Sequence, residues 1–372
     1  MTNKRAEQIE PGEAWEKFCD QLKDVGRLLD APGCPQDSLN RALGFRAITH
    51  WLRAGLEMGV DYSNPSFPAF YRLADETKKM GNDNPDNIYL NCVIDGELDY
   101  IIRGNTGTID WFSVNAKASA AEIGGMRDTG SIDSTRLDFD ANGDFLLHVS
   151  STEKPGNWLR IAPESRQLIV RQTFGDRATE IPATMDIVCE NPRVPHNTPD
   201  ADAFVAGLEQ AMTFVRSTTE WTNAWMDIFR GHTNQLPDDD QLRCIQSGGD
   251  PDIRYYQSHW SLAGDEALVI RLTDIPDCHT WNFQLSNYWM ESLDYRFFRV
   301  CINKHTAHYA SDGSVTIVVA GESPGPAYPN WLYTAGHSQG SMLGRLVKAQ
   351  EFPEHFATEV VKLDALRARP AG

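Results

Sequence analysis

Trp281-Asn-Phe-Gln-Leu-Ser-Asn-Tyr-Trp289 is the stretch from which the fold is read. Successive side chains of an extended chain point to opposite sides. Trp281, Phe283, Leu285, Asn287 and Trp289 therefore share one face, and Asn282, Gln284, Ser286 and Tyr288 the other. The alternation predicts a strand with a mainly apolar face and a face of amides and hydroxyls. Its neighbours read the same way. Tyr255–Trp260, Ala267–Thr273, Phe298–Asn303, Val315–Ala320 and Leu343–Val347 alternate or run apolar, without the strand–helix alternation of a doubly wound sheet.

Upstream, Phe204, Leu208, Met212, Val215, Thr222, Trp225 and Phe229 recur at helical spacing. Thr198 is the expected cap, Pro199 suits the first turn and Gly231 the end. Before this helix the period is two again. Tyr89–Ile94, Asp99–Arg103, Asp110–Asn115, Thr135–Phe139, Phe145–Val149, Trp158–Ile161, Gln167–Phe174 and Pro182–Glu190 are expected as short strands, with Asp95-Gly96 as a hairpin turn. At the start, Trp15, Phe18, Leu22, Val25 and Leu29 mark one helix. Leu39, Leu43, Ile48, Trp51 and Leu56 mark a second, with Gly59 as its left-handed end. Residues 62–84 are loop-rich. The fold class is thus mainly β with accessory helices: two antiparallel β-sandwich-like units bridged by a long helix. The division is 1–84 helical, 85–195 first β unit, 196–235 bridging helix and 236–372 second β unit. The chain's 372 residues suit more than one core.

The formal charge is −18. Such a surface repels phosphate backbones and anionic membranes, so neither nucleic acid nor a membrane is expected as a partner. Seven scattered Cys without a C-x-x-C read as reduced thiols. No apolar signal segment is seen near the N-terminus, and the expected location is cytoplasmic.

Several motifs invite chemistry. Gly336-His-Ser-Gln-Gly340 matches the G-x-S-x-G of serine hydrolases. That elbow needs a preceding core strand, a following helix, and then an acid and a His in that order. The 34 residues after Ser338 offer His355 and Asp364 in the order His then Asp, and Pro329-Asn-Trp-Leu-Tyr-Thr334 before it does not read as a buried parallel strand, so the match reads as a glycine-bounded turn. Asp138-x-Asp140-x-Asn142-Gly143-Asp144 opens like a calcium loop but has Val149 where the closing Glu belongs. It reads as a hairpin turn. No His spacing supports a metal site, and no glycine-rich phosphate loop occurs. No metal or cofactor is therefore expected.

Trp281–Trp289, Ser292-Leu-Asp-Tyr295, Asp312-Gly-Ser-Val315, Pro324-Gly325, Asn330-Trp331 and Thr334-Ala-Gly336 with Gly340 and Arg345 together resemble the bacterial domain of unknown function 1214. The resemblance covers about residues 245–350. Ile101-Ile-Arg-Gly104, Asn157-Trp158 and Val170-Arg-Gln-Thr-Phe174 are similar to the β region that often precedes that domain. The resemblance implies a β-rich, two-unit architecture with antiparallel sheets and brings no established reaction.

Aromatic walls with a few convergent polar groups are what a small-molecule pocket requires. The expected function is a cofactor-independent lyase, isomerase or hydrolase acting by acid–base chemistry on a small apolar or aromatic metabolite. Asp294 or His337 would move the proton, and Asn287 and Asn303 would stabilise negative charge. Trp289, Tyr295, Asn330 and Trp331 would complete the binding surface. The alternatives are a non-catalytic ligand- or carbohydrate-binding sandwich, and a glycoside-active enzyme using Glu291 and Asp294. A homo-oligomer is compatible with each.

Overall fold

The structure, a computed structural model, describes residues 5–109, 111–120 and 125–368. The first β unit contains β1 (Asn87–Val93), β2 (Tyr100–Asn105), β3 (Trp111–Ala120), β4 (Gly125–Asp133), β5 (Asp144–Ser150), β6 (Trp158–Arg160), β7 (Gln167–Thr173) and β8 (Thr184–Cys189). They form two four-stranded sheets, ordered β1-β7-β3-β4 and β6-β5-β2-β8. Phe112, Val114, Leu168 and Val170 of one sheet pack against Tyr100, Ile102, Leu147 and Val149 of the other. Asp95-Gly96 is not a hairpin. β1 and β2 lie in different sheets, and the segment turns the corner between them with Gly96 N–H bonded to the Ser165 carbonyl. Residues 134–136 form a 3-10 turn where a strand was expected, because Asp133 caps it by accepting the N–H of Thr135. Of the expected strand 110–115, Asp110 lies outside the described residues.

The second unit holds β9 (Leu236–Pro237), β10 (Ile253–Ser261), β11 (Glu266–Leu272), β12 (Thr280–Leu285), β13 (Cys301–Asn303), β14 (Val315–Ala320), β15 (Trp331–Tyr333), β16 (Gln339–Val347) and β17 (His355–Lys362). Its sheets are ordered β10-β16-β12-β13 and β15-β14-β11-β17-β9. Pairing is antiparallel except β5–β6 and β14–β15. Trp281, Phe283 and Leu285 enter the core between the sheets, as the alternation requires. The strand stops at Leu285, short of Trp289. Asn287 Oδ1 accepts the N–H groups of Trp289 and Glu291, which folds the chain into a turn.

Helices α1 (Glu13–Arg27) and α2 (Ser38–Leu56) pack on the long α3 (Ala201–Arg230). Asp200, not Thr198, caps α3, accepting from the N–H groups of Asp202 and Ala203. Gly59 sits in a π turn, Glu57–Asp61, and not at a left-handed end. Its role is contact. A Cβ on Gly59 would lie 2.6 Å from the Gly207 carbonyl oxygen, and one on Gly207 would lie 2.2 Å from that of Gly59. The crossing therefore brings backbone against backbone.

The outward faces of the β1-β7-β3-β4 and β10-β16-β12-β13 sheets are polar, yet buried. Ser113, Asn115, Lys117 and Arg171 belong to the first, and Gln257, His259, Asn282, Gln284 and Arg345 to the second; all are at most 8% exposed. The short helix α4 (Gln241–Gln246) lies beside β4 and β10.

His259 has a consequence for stability. Thr233 Oγ1 lies 3.0 Å from its Nδ1, and Gln339 Oε1 3.4 Å from its Nε2. Burial pushes its pKa down from 6.5 to about 4, against the raising effect of Gln339. The unfolded chain therefore binds a proton at a pH where the folded one does not. The neutral ring's contribution is fully present above 6.5 and is lost as pH falls toward 4, by about 3 kcal/mol. Burial raises the carboxyls of Asp83 and Asp86, which acts in the opposite sense. A comparison that shares those groups isolates the histidine. Urea unfolding at pH 7 and pH 4 should show wild type losing about 3 kcal/mol more than His259→Gln. Equal losses would contradict the assignment.

Candidate functional site

Between the two polar sheet faces lies a cavity of about 400 Å³, within the range of small-molecule sites. β1 and β7 contribute Tyr89, Asn91, Ile169 and Arg171. β10 and β16 contribute Tyr255, Gln257, Leu343 and Arg345. α3 lays Phe214, Trp221 and Trp225 along one side, and Cys244 with residues 246–249, residues 80–83 and Met290 close much of the rest. The Trp221 and Trp225 rings are 4.9 Å apart, and the Trp221 Nε1–H donates to Ser247 Oγ at 3.1 Å. Arg243 covers the Trp225 ring at 4.8 Å.

The segment Asn82-Asp-Asn-Pro-Asp86 locks the polar floor. Asn82 Nδ2 donates to Gln257 Oε1 at 3.0 Å, and Ser341 Oγ donates to Asn82 Oδ1 at 2.7 Å. Asp83 accepts from Ser292 through its N–H at 3.0 Å and its hydroxyl at 2.7 Å. Gln284 Nε2 donates to the Asp83 carbonyl, and Asn282 Nδ2 to Asn84 Oδ1. Asn82 and Met290 both hold positive φ, 56° and 57°, and the Asn82 N–H donates to the Met290 carbonyl at 2.7 Å. Non-glycine residues in this region cost about 1–3 kcal/mol each, and such strain gathers at binding sites.

Arg345 is the centre of the floor. It is 6% exposed. Its guanidinium donates to Gln284 Oε1 at 2.6 Å, to the Asn82 carbonyl at 2.6 Å and to Asn282 Oδ1 at 3.4 Å. All three acceptors are neutral. Arg171 has Asp250 at 3.7 Å, and Lys117 has Asp128 at 2.6 Å.

None of the residues expected from the sequence to form a site lines this cavity. The structure brings Asn287, Glu291 and His337 into one neighbourhood away from it, with the Glu291 carboxylate acting on His337, and spreads the others over separate positions. Asn287 Nδ2 donates to Glu291 Oε2 at 2.9 Å, and Glu291 Oε1 meets His50 Nδ1 at 2.6 Å. Trp289 is fully buried among the helices, its Nε1–H on the Asn40 carbonyl at 2.8 Å. Asp294 forms a two-point pair with Arg296 at 2.9 and 2.7 Å, which holds its carboxyl below the ordinary range. Tyr295 carries Lys79 over its ring at 4.5 Å. Asn303 accepts the N–H groups of His305 and Thr306 and donates to the Gly175 carbonyl, tying the two β units. Asn330 bonds both backbone groups of His308. Trp331 Nε1–H donates to the Ala320 carbonyl at 3.1 Å. His337 is half-buried, and burial depresses its pKa. Its N–H closes a turn on the Thr334 carbonyl, with Ala335 and Gly336 at positive φ.

The cavity residues that sequence reasoning missed are Asn82, Arg171, Trp221, Tyr255, Gln257 and Arg345. The available signals were a lone Arg in the apolar run Leu343–Val347 and the tight Asn/Asp cluster at 82–86. Among the described residues, no group of three or more His, Cys, Asp and Glu side chains could hold a metal ion. Among them, no helix is long and apolar enough to cross a membrane.

Residues 257–351 match the family model described as "Protein of unknown function (DUF1214)". The crystal structure of an uncharacterized protein from Burkholderia cenocepacia is 43% identical, covering 97% of this chain and 100% of that one, with a TM-score of 0.93. The VPA0106 protein from Vibrio parahaemolyticus is 11% identical, covering 92% of this chain and 100% of that one, with a TM-score of 0.49. No curated protein matches.

Proposed function

We propose a function for a chain that belongs to the DUF1214 family, described only as proteins of unknown function: it takes a small apolar or aromatic metabolite into the cavity between its β units and converts it by acid–base chemistry. The observation that carries this reading is the make-up of the cavity. Phe214, Trp221 and Trp225 give an aromatic side, and Tyr89, Tyr255, Gln257 and Arg345 give a polar floor. An apolar body with one polar end fits that division. Asp83 lines the same cavity, and burial raises its carboxyl so that it keeps a proton more readily than an exposed acid. It supports the proton-transfer role better than Asp294 or His337, which lie elsewhere.

The test is a thermal-shift screen with aromatic and terpenoid metabolites, sugars and divalent metals. Compounds that shift the melting temperature are then incubated with the protein and followed by mass spectrometry. The aromatic or terpenoid class alone should stabilise the protein. Thr218→Trp, which fills the cavity from α3, should abolish the shift, and Asp83→Asn should stop conversion while leaving a shift. Stabilisation by sugars or metals alone would contradict the reading.

A further inference from the structure

A buried guanidinium demands a charge partner, because taking an ion out of water costs several kcal/mol unless an opposite charge or a full set of hydrogen bonds compensates it. Arg171 and Lys117 meet that demand with Asp250 and Asp128. Arg345 does not. Among the described residues it forms no ion pair, and its bonds end on two amide side chains and one backbone carbonyl. Asp83 and Asp86 are carboxyls whose charge bears on it. Asp83 is bonded to Ser292, and burial favours the neutral form of both acids.

The other polar groups on this side of the cavity point to the same ligand chemistry. Tyr89 Oη already accepts the Asn84 N–H at 2.9 Å, and Tyr255 Oη the Asp250 N–H at 2.9 Å. Each phenol therefore has its own proton left to donate. Burial pushes the Tyr255 phenol far up, so it remains a donor at any physiological pH. A guanidinium and two phenols offer donors, and the adjoining Leu343, Met290 and Ile169 cannot solvate a second charge.

We infer that the cavity is built for a singly charged carboxylate on an aromatic or alicyclic body, its carboxylate taken by Arg345 with Tyr89 and Tyr255 and its ring by Trp221 and Trp225. This rests on the cavity reading above and names the substrate class. The carboxylate would supply the missing negative charge, and a planar two-oxygen group suits a guanidinium fork. A phosphate monoester would bring nearly two charges where one is uncompensated.

The experiment is isothermal titration calorimetry on the full chain with three probes of one shape: 2-naphthoate, 2-naphthamide and 2-naphthyl phosphate. The expected result is naphthoate binding at least tenfold tighter than either of the others. Arg345→Gln, verified as folded by circular dichroism, should bring naphthoate and naphthamide within about twofold. Equal binding of naphthoate and naphthamide to wild type would overturn the carboxylate assignment and leave the cavity reading standing. Phosphate binding as tight as naphthoate would overturn the single charge. Binding of none of the three would overturn the cavity reading itself. The wild-type comparison decides the matter even where Arg345→Gln fails to fold.

Discussion

Arg345→Met is expected to lower the unfolding free energy by about 3 kcal/mol, measured by urea denaturation at pH 7. The two strong bonds, to Gln284 Oε1 and the Asn82 carbonyl, are charge-assisted, and such bonds contribute about 1.5–3 kcal/mol each. Their loss leaves Gln284 Oε1 without a donor and the Asn82 carbonyl with only the weak 3.4 Å bond from Gln284 Nε2, at the junction of the sheet and the 82–86 segment. Against this, Met removes a buried charge, which recovers part of the loss. The network wins because both acceptors are fixed by further bonds and cannot turn to water. Arg345→Lys keeps the charge but has a single ammonium where a fork spans two acceptors, so it should recover only part of the stability. Unchanged stability in Arg345→Met would show that the network adds nothing to the fold.

Gly340→Ala should be worse, and Ser338→Ala should be silent. A Cβ at position 340 would stand 2.0 Å from the Ser286 carbonyl oxygen and 3.0 Å from Asn287 C and Trp260 Nε1. Trp260 is fully buried and bonded to the Ser286 and Ser341 carbonyls, so it cannot give way. The loss should exceed about 3 kcal/mol, or the variant should not fold. Ser338 is exposed, and its carbonyl accepts the Leu262 N–H where β16 begins. Ser338→Ala should fall within about 0.5 kcal/mol of wild type and keep any turnover. A serine elbow would instead require turnover lost at Ser338 with stability kept. The glycines of Gly336-His-Ser-Gln-Gly340 are explained by a turn and a close strand contact, with no nucleophile needed.

The sandwich cores were legible because their residues obey a local rule. Trp281, Phe283 and Leu285 alternate, and so do Phe112, Val114 and Ala116. The cavity obeys no local rule. Its walls are the polar faces of strands, which in a single sequence look like solvent faces. Asn282 and Gln284 read as an amide face, but nothing near them in the chain tells that Asn84 and Asp83 meet them from about 200 positions away. Asn82-Asp-Asn-Pro-Asp86 has the composition of an exposed turn, yet all five residues are buried. The second unit supplies the partners that water would otherwise provide. Asn287, Asn303 and Asn330 read as ligand-facing amides in the sequence, and in the fold their side chains fasten turns. Trp289 reads as a pocket wall only while its strand continues past Leu285, where it stops. The Asn287 turn instead directs it among the helices.

The most direct test is a crystal of the protein soaked with 4-bromobenzoate and measured at the bromine absorption edge. The account predicts one strong anomalous peak inside the cavity beside Trp221 and Trp225, with the carboxylate within hydrogen-bond distance of Arg345. Bromine peaks on the surface alone, with only water density between the two β units, would contradict it.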